Sequence, residues 1–488
     1  MEAREVLEAH GDEGERHEEP TDASLLMPLR FLGMGLFIAW LCCTHLTLVF
    51  PGAGYSLDLR NAFDTGMRLG DIATFLLLAI LATRVGNLAV RPKLCTVLVA
   101  LTAAGTLLVG LVLIPAGLPS EVVLAVSVPV AAGGSVLFCL WAQAYSQMGM
   151  ARAVVYGALS CIAAGAVSFL VGTMKQPYAV IITGLLPLFS YACAFLSFRL
   201  LPAEPAPRSG ERYALPWKLI AIMTVAGFLS GASGSGLPQA EGIGSMLRVA
   251  STALAGLVLL ALFRFARDRA DVRILAKTAA ALAVVAVVLV PLVEPAAALV
   301  EAFLLKLSYV WFTLFVLLVL SRICYRFEVP TLRVFAVARA CSEAAIFVGI
   351  MLRRGFRASG LAESEPFLIG FAVCGLVLIA ACVLVWTSEK SVNGDWGAAG
   401  VSLEGGVHVP TARERFVERR DTLAAEHGLT PRETEIMSLV AEGKTRRQIE
   451  QELFLSENTV KTHVRHIHSK LGTKSKEDIQ ALFGDGGR

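Results

Sequence analysis

The chain has 488 residues, of which 55% are hydrophobic and 17% charged, with a mean hydropathy of +0.65. Soluble domains carry about 25% charged residues and disordered chains combine low hydrophobicity with high charge, so disorder is excluded and an ordinary soluble enzyme is disfavoured. The formal net charge is +3, from 43 Lys and Arg against 40 Asp and Glu, so the placement of charge is more informative than its total.

In chain order, the first thirty residues form a polar, acidic segment. It begins acidic where a signal peptide begins basic, so the apolar run Phe31–Phe50 is expected to be an uncleaved membrane helix. Eleven further apolar runs follow, at about 71–90, 94–115, 122–145, 153–173, 178–198, 217–237, 246–265, 276–293, 297–320, 332–352 and 366–386. Each is near the roughly 20 residues that cross a bilayer core as a helix. The Pro-rich stretch Pro202–Leu215 splits them six and six, a layout expected of a transporter-type duplication. Small residues at AAGG (131–134) and GASGSG (231–236) suit close helix packing in lipid.

Lys and Arg near span ends set topology. With the N-terminus inside, the inner loops carry 16 of them and the outer loops 7, the outer set being Arg60, Arg68, Lys175, Arg248, Arg353, Arg354 and Arg357. The expected location is the bacterial inner membrane, with both termini cytoplasmic. The trio at 353–357 runs against the rule. Ten cysteines lie almost entirely in apolar runs, with no CxxC and no Cys/His cluster. They read as small buried hydrophobes, and neither a metal site nor a cofactor is implied.

Ionisable residues within spans are functional candidates by default. Arg339 and Glu343, four apart, share a helix face. They suit either a polar ligand or mutual neutralisation that holds two helices together. Lys306 lies near Tyr309 in the tenth span, and these four residues are the candidate ligand contacts. Trp141, Gln143 and Tyr145, toward the inner end of the fourth span, read as an interfacial aromatic belt.

Beyond Thr387 the composition changes. Ser388–His408 is polar and Gly-rich and reads as a linker. Thr411–His427 reads as an amphipathic helix with Ala412, Phe416 and Leu423 on one face, serving as a spacer or as a docking helix. From Leu429 the punctuation is dense. Thr430-Pro-Arg-Glu433 is a capping box with Pro at the first helical position, and Thr445–Gln448 is a second box. Gly443 ends the first helix, Phe454-Leu455 makes a tight connection, Ser456 caps a third helix that ends at Gly472, and Ser475 starts a fourth. In the third helix Val460, Val464, Ile467 and Leu471 point inward. Asn458, Thr462, Arg465, His466 and Ser469 point outward, flanked by Lys461. Two short helices with a cationic face on the second make a helix-turn-helix, whose second helix enters the major groove.

The run LTPRETEIMSLVAEGKTRRQIEQELFLSENTVKTHVRHIHSKLGTKS resembles the LuxR/FixJ-type DNA-binding domain. The resemblance implies that Lys461, Thr462 and Arg465 read DNA, that Thr459 and His463 are neighbouring contact or packing positions, and that the fourth helix mediates dimerisation. Phe454 departs from the family, which usually has a small residue there. The loop Leu81–Lys93 is similar to the inner basic loop of the major facilitator superfamily, with Thr83 where an acidic residue is usual. No βα pattern of a receiver domain, kinase glycine loop or Walker loop precedes the tail.

The expectation is an all-α chain: an acidic segment 1–30, a polytopic bundle of about twelve spans at 31–386 (halves 31–200 and 216–386), a linker 387–428, and a LuxR-type helix-turn-helix domain at 429–488. The function expected is a one-component transcription regulator and not an enzyme. Its expected partners are double-stranded DNA, the lipid bilayer, an unidentified small-molecule ligand, and a second copy of the chain on DNA. The rival expectation is a secondary transporter with a regulatory DNA-binding tail.

Overall fold

The structure is a computed structural model that describes residues 29–45, 57–148, 150–199, 201, 215–232, 243–265, 272–289, 298–327, 330–360, 365–387, 412–453, 456–473 and 475–483. The described residues form helices and no strand. The acidic segment up to residue 28, most of the linkers around 202–214 and 388–411, residues 233–236 and the connection Phe454-Leu455 lie outside them. The chain divides into two compact units, the larger holding the apolar helices and the smaller holding the charged C-terminal ones.

The larger unit contains α1 (Gly33–His45), α2 (Leu57–Val85), α3 (Pro92–Leu108, continued by a π turn Val109–Leu113), α4 (Ser120–Ser146), α5 (Met150–Gly172) and α6 (Tyr178–Phe198). Its second half contains α7 (Trp217–Ala232), α8 (Ile243–Phe265), α9 (Val272–Leu289), α10 (Ala298–Phe327), α11 (Thr331–Ala358) and α12 (Glu365–Thr387). Each predicted span has its helix. Among the described residues seven are long and apolar enough to cross a membrane, and five shorter apolar helices accompany them. The outer faces stay greasy: Leu77, Ile80, Val97, Phe169, Phe189 and Val377 are all more than half exposed. A soluble protein rarely exposes so many large apolar side chains, whereas lipid accepts them.

Two inter-half seams differ in chemistry. Along α5 and α8, small residues let the backbones meet: a Cβ on Gly256 would stand 2.4 Å from the Ala158 carbonyl oxygen, and one on Gly165 would stand 2.5 Å from Cβ of Ala253. Along α2 and α11 the contact is ionic. The sequence places the start of the second span at Asp71, but α2 begins fourteen residues earlier at Leu57. Its 29 residues span about 43 Å at 1.5 Å per residue. Hydropathy trims this stretch because it carries Asp58, Arg60, Asp64 and Arg68. The helix survives there because Asp64 and Arg68 find partners on α11. Arg60 and Arg68, and the trio Arg353, Arg354 and Arg357, are therefore helical residues and not outer-loop charge.

The expected aromatic belt on α4 is instead buried. Trp141 and Tyr145 have no exposed surface and Gln143 has 1%. The Trp141 indole N–H donates to Ser190 Oγ at 3.0 Å, and the Leu88 amide donates to Gln143 Oε1 at 3.0 Å. Belts need one wet end, which these side chains lack. In the loop after α2, Arg91 donates to the Val85 and Arg84 carbonyls at 2.9 and 2.7 Å, capping the end of that helix. Six described cysteines are buried, Cys193 and Cys341 are half-buried, and Cys374 is exposed on α12.

The smaller unit holds α13 (Ala412–Glu426), α14 (Pro431–Ala441), α15 (Arg446–Leu453), α16 (Glu457–Leu471) and α17 (Lys476–Leu482). Its core is Ile436, Met437, Leu439, Val440, Ile449, Val460, Val464, Ile467, Leu471 and Ile479, joined by Leu423. α13 docks on this core and is not a spacer. The Phe416 ring stacks on Phe483 at 4.6 Å, and Arg419 Nε donates to the Leu482 carbonyl at 3.0 Å.

Candidate nucleic-acid interface and intramembrane charge network

Local chemistry fixes the ends of α16. The Thr459 amide donates to the Ser456 hydroxyl at 3.2 Å, satisfying one of the free N–H groups of the first turn. At the other end Gly472 sits at φ +67°, a left-handed cap that costs a residue with a Cβ more than glycine. The end of α15 is tied to α14, because Arg432 Nη2 donates to the Leu453 carbonyl at 3.0 Å. The second capping box is also present, with the Thr445 amide donating to Gln448 Oε1 at 2.8 Å.

The side chains of α16 divide as the angles predict. Val460, Val464, Ile467 and Leu471 are buried, and Asn458, Lys461, Thr462, Arg465, His466 and Ser469 are exposed. Thr459 and His463 are half-buried. The Thr459 hydroxyl lies 2.8 Å from Ser456 Oγ, so it completes the cap. His463 Nδ1 is buried with no hydrogen-bond partner among the described residues. The Thr462 hydroxyl donates back to the Asn458 carbonyl at 2.9 Å. Its methyl group and the two lone pairs of its hydroxyl oxygen are what it offers to a base edge. His468 is drawn away from the exposed stripe, its Nδ1 lying 2.8 Å from Thr473 Oγ1.

Sequence reading misses the polar clamp that ties the end of α16 to the start of α14. Glu433, at the third position of α14, has 4% of its surface exposed. Its Oε2 accepts the Lys470 ammonium at 2.7 Å, the Thr430 amide at 2.8 Å and the Thr430 hydroxyl at 3.0 Å. Lys470, the Thr430 amide and the Thr430 hydroxyl hold its carboxyl down at about 2. Lys470 also donates to the Gly428 carbonyl at 2.9 Å, and the His427 ring meets the Lys470 carbonyl at 3.1 Å. The sequence marks Glu433 as the third residue of a capping box, but it does not single out its lysine partner.

In the larger unit, Glu343 on α11 is paired with two guanidiniums, Arg339 one turn earlier and Arg68 on α2. Arg339 also donates to the Tyr309 hydroxyl on α10 at 3.3 Å, and its guanidinium lies 4.9 Å from the Phe138 ring centre. Asp71 accepts the Ser135 hydroxyl at 2.6 Å. Nearer the start of α2, Asp64 lies 3.5 Å from Arg354, which also donates to Thr65 Oγ1 at 2.9 Å. Arg339, Glu343 and Tyr309 thus meet in one network. Lys306 stands beside it, its ammonium 5.3 Å from the Tyr309 ring centre. Arg68, Asp71 and Asp64 are additions that the apolar pattern does not reveal. Their spacing at i, i+4 and i+7 on one helix face is the available signal.

Comparison with known proteins agrees with this division. The family described as "Bacterial regulatory proteins, luxR family" matches residues 427–483. The chain is 52% identical over 48 residues to the transcriptional regulatory protein LiaR of Bacillus subtilis, covering 10% of this chain and 23% of that one. It is 45% identical over 51 residues to the oxygen regulatory protein NreC of Staphylococcus aureus, covering 10% of this chain and 24% of the relative. It therefore spans about a quarter of the length of these curated relatives. Over its larger part the fold is similar to a bacterial homologue of the iron transporter ferroportin in its outward-facing state. That match has a TM-score of 0.53 at 15% identity and covers 74% of this chain and 98% of the other. The human organic anion transporter MFSD10 matches with a TM-score of 0.50 at 13% identity, over 72% of this chain and all of the other. The C-terminal unit thus carries a LuxR-type helix-turn-helix domain, and the N-terminal helices share a fold with these transporters.

Proposed function

We propose that this chain is a membrane-bound one-component transcription regulator of the bacterial inner membrane, with both termini cytoplasmic. The observation that carries this reading is one chain joining a LuxR-type helix-turn-helix to a bundle of twelve apolar helices, seven of which, among the described residues, are long enough to cross a membrane. A single span would suffice as an anchor, so a bundle of many spans implies a sensing task. Lys461, Thr462 and Arg465 read base edges or phosphates in the major groove, with Asn458, Thr459, His463, His466 and Ser469 around them. Two copies bind two half-sites. The bundle binds a small molecule, or responds to a membrane condition, through Lys306, Tyr309, Arg339 and Glu343. The ligand acts by binding one bundle state more tightly than another. No catalytic step is assigned to the chain.

The similarity to transporters supports a second reading, in which the bundle carries a substrate and the tail regulates it. Two experiments separate them. Full-length protein in nanodiscs is expected to retard specific DNA, and the Lys461→Ala/Thr462→Ala/Arg465→Ala variant is expected not to. A chain ending at Trp386 is expected to take up no substrate in proteoliposomes. Robust uptake by that truncated chain, with no DNA retardation by the full one, would establish the second reading instead.

A further inference from the structure

The intramembrane network has an unusual geometry for a helix-holding ion pair. Arg68 comes from the first half of the bundle and Arg339 from the second, and both converge on one carboxylate, that of Glu343. Glu343 has 1% of its surface exposed. The Arg68 and Arg339 side chains keep 17% and 13% of theirs. Both guanidiniums also retain a buried Nε–H with no hydrogen-bond partner among the described residues, that of Arg68 facing Asp64 Oδ1 at the longer distance of 3.7 Å. Two guanidinium forks with donors to spare are a carboxylate receptor. One wall of this one is aromatic: Phe138 and Phe75 lie 4.9 and 5.8 Å from the Arg339 guanidinium, and the Tyr309 hydroxyl closes one side.

We propose that the space between Arg68 and Arg339 is a carboxylate-binding site which Glu343 fills in this state, and that the ligand of the bundle is a small organic acid. The proposal rests on the reading of the bundle as a sensor and gives its ligand a chemical class. Glu343 is then a built-in stand-in for the ligand. The charged groups of the network are Asp64, Arg68 and Asp71 on α2 and Arg339, Glu343 and Arg354 on α11, with Ser135 on α4 and Tyr309 on α10 as neutral partners and the Lys306 ammonium beside the Tyr309 ring. Three carboxylates balance three guanidiniums. A carboxylic acid that enters gives its proton to Glu343 and places its carboxylate on the two arginines. No bond other than this O–H is made or broken, and the total charge within the network is unchanged by the neutral acid taken up. Glu343 then releases Arg68. The direct link between α2 and α11 is replaced by one that runs through the ligand, so the two states of the bundle differ in ligand affinity as a sensor requires.

The test is chemical rescue in the full-length protein, with acetate as the probe and thermal unfolding in detergent as the readout. Glu343→Ala is expected to lower the unfolding midpoint by several degrees. Acetate is expected to recover most of that loss, and neither acetamide nor chloride at equal ionic strength is expected to do so. In the Arg68→Gln/Glu343→Ala and Arg339→Gln/Glu343→Ala variants the acetate response should disappear. Glu343→Gln serves as a second background, which keeps the side-chain volume where the alanine variant fails to fold, and the same acetate-specific rise is expected. Acetate acting no better than chloride in either background overturns the proposal, as does a response that survives loss of both arginine partners in turn. DNA binding is not part of the readout. An acetate response in a protein that fails to bind DNA would refute the regulator reading and leave the carboxylate site standing.

Discussion

Glu433→Gln separates a scaffold role from a surface one in the DNA-binding unit. The wild-type carboxylate accepts three hydrogen bonds, from Lys470, the Thr430 amide and the Thr430 hydroxyl, at 2.7 to 3.0 Å. Its carboxyl is held at about 2, against about 4.3 for an unperturbed glutamate. Each tenfold change in proton affinity is worth about 1.4 kcal/mol, so linkage sets an upper figure of about 3 kcal/mol for the contribution at neutral pH. A glutamine still accepts one or two of the bonds but carries no charge for Lys470, so a loss of about 2 kcal/mol is expected. The sign with pH follows from the lowered value. The stabilisation is complete above the ordinary carboxylate range and is lost as pH falls from about 4 toward 2. Urea unfolding of residues 405–488, followed by circular dichroism at pH 7 and in steps down to pH 2, measures both. The variant should start lower and lose less stability over the acid range. A variant within about 0.5 kcal/mol of wild type, with the same acid profile, would refute the reasoning.

Other outcomes follow from the same geometry. Lys461→Ala or Arg465→Ala should cost about 1–3 kcal/mol of DNA affinity where the side chain meets a base, or reduce the salt slope by about one where it meets a phosphate. Titration at several salt concentrations distinguishes the two, and no change in either variant would remove both from the reading face. Thr462→Ala should alter sequence preference more than salt dependence, measured by selection from a random DNA pool. Phe416→Ala removes the ring stacked on Phe483 and should destabilise the C-terminal unit by about 1–2 kcal/mol, seen in the same urea assay; no loss would return α13 to the role of a spacer. Gly349→Leu places a side chain where a Cβ already stands 2.6 Å from the Phe228 carbonyl oxygen. It should abolish the monodisperse membrane protein in size-exclusion chromatography. Gly355→Leu, where a Cβ meets nothing within 4 Å, should leave that peak intact.

The DNA-binding unit is the most legible part of the chain because its signals are local. Thr430, Thr445, Ser456 and Ser475 each announce a helix start, and Gly443 and Gly472 close two ends. The inward and outward faces of α16 follow from spacing alone. What spacing does not encode is which lysine reaches across to another helix, so Lys470 and its clamp on Glu433 emerge only in three dimensions. The docking of α13 is equally open in sequence, because Phe416 and Leu423 on one face fit a spacer as well as a packed helix. In the bundle, apolar runs locate every helix. They misplace the start of α2, because hydropathy treats Asp64 and Arg68 as loop residues when their stabilising partners, Arg354 and Glu343, are more than 270 positions away. The same error turns helical arginines into outer-loop charge. Buried Trp141 and Tyr145 pass for a belt because sequence shows an aromatic near a span end but not the hydroxyls of Ser190 and Ser160 that satisfy it.

The measurement that bears most directly on the account is genome-wide chromatin immunoprecipitation of the full-length protein in its host, beside the Lys461→Ala/Thr462→Ala/Arg465→Ala variant at matched expression. Discrete peaks with the wild type that vanish in the variant are the predicted result, and the genes beneath them name the regulon. Absence of peaks under every growth condition tried, or peaks that persist unchanged in the variant, would contradict the assignment of this chain as a DNA-reading membrane regulator.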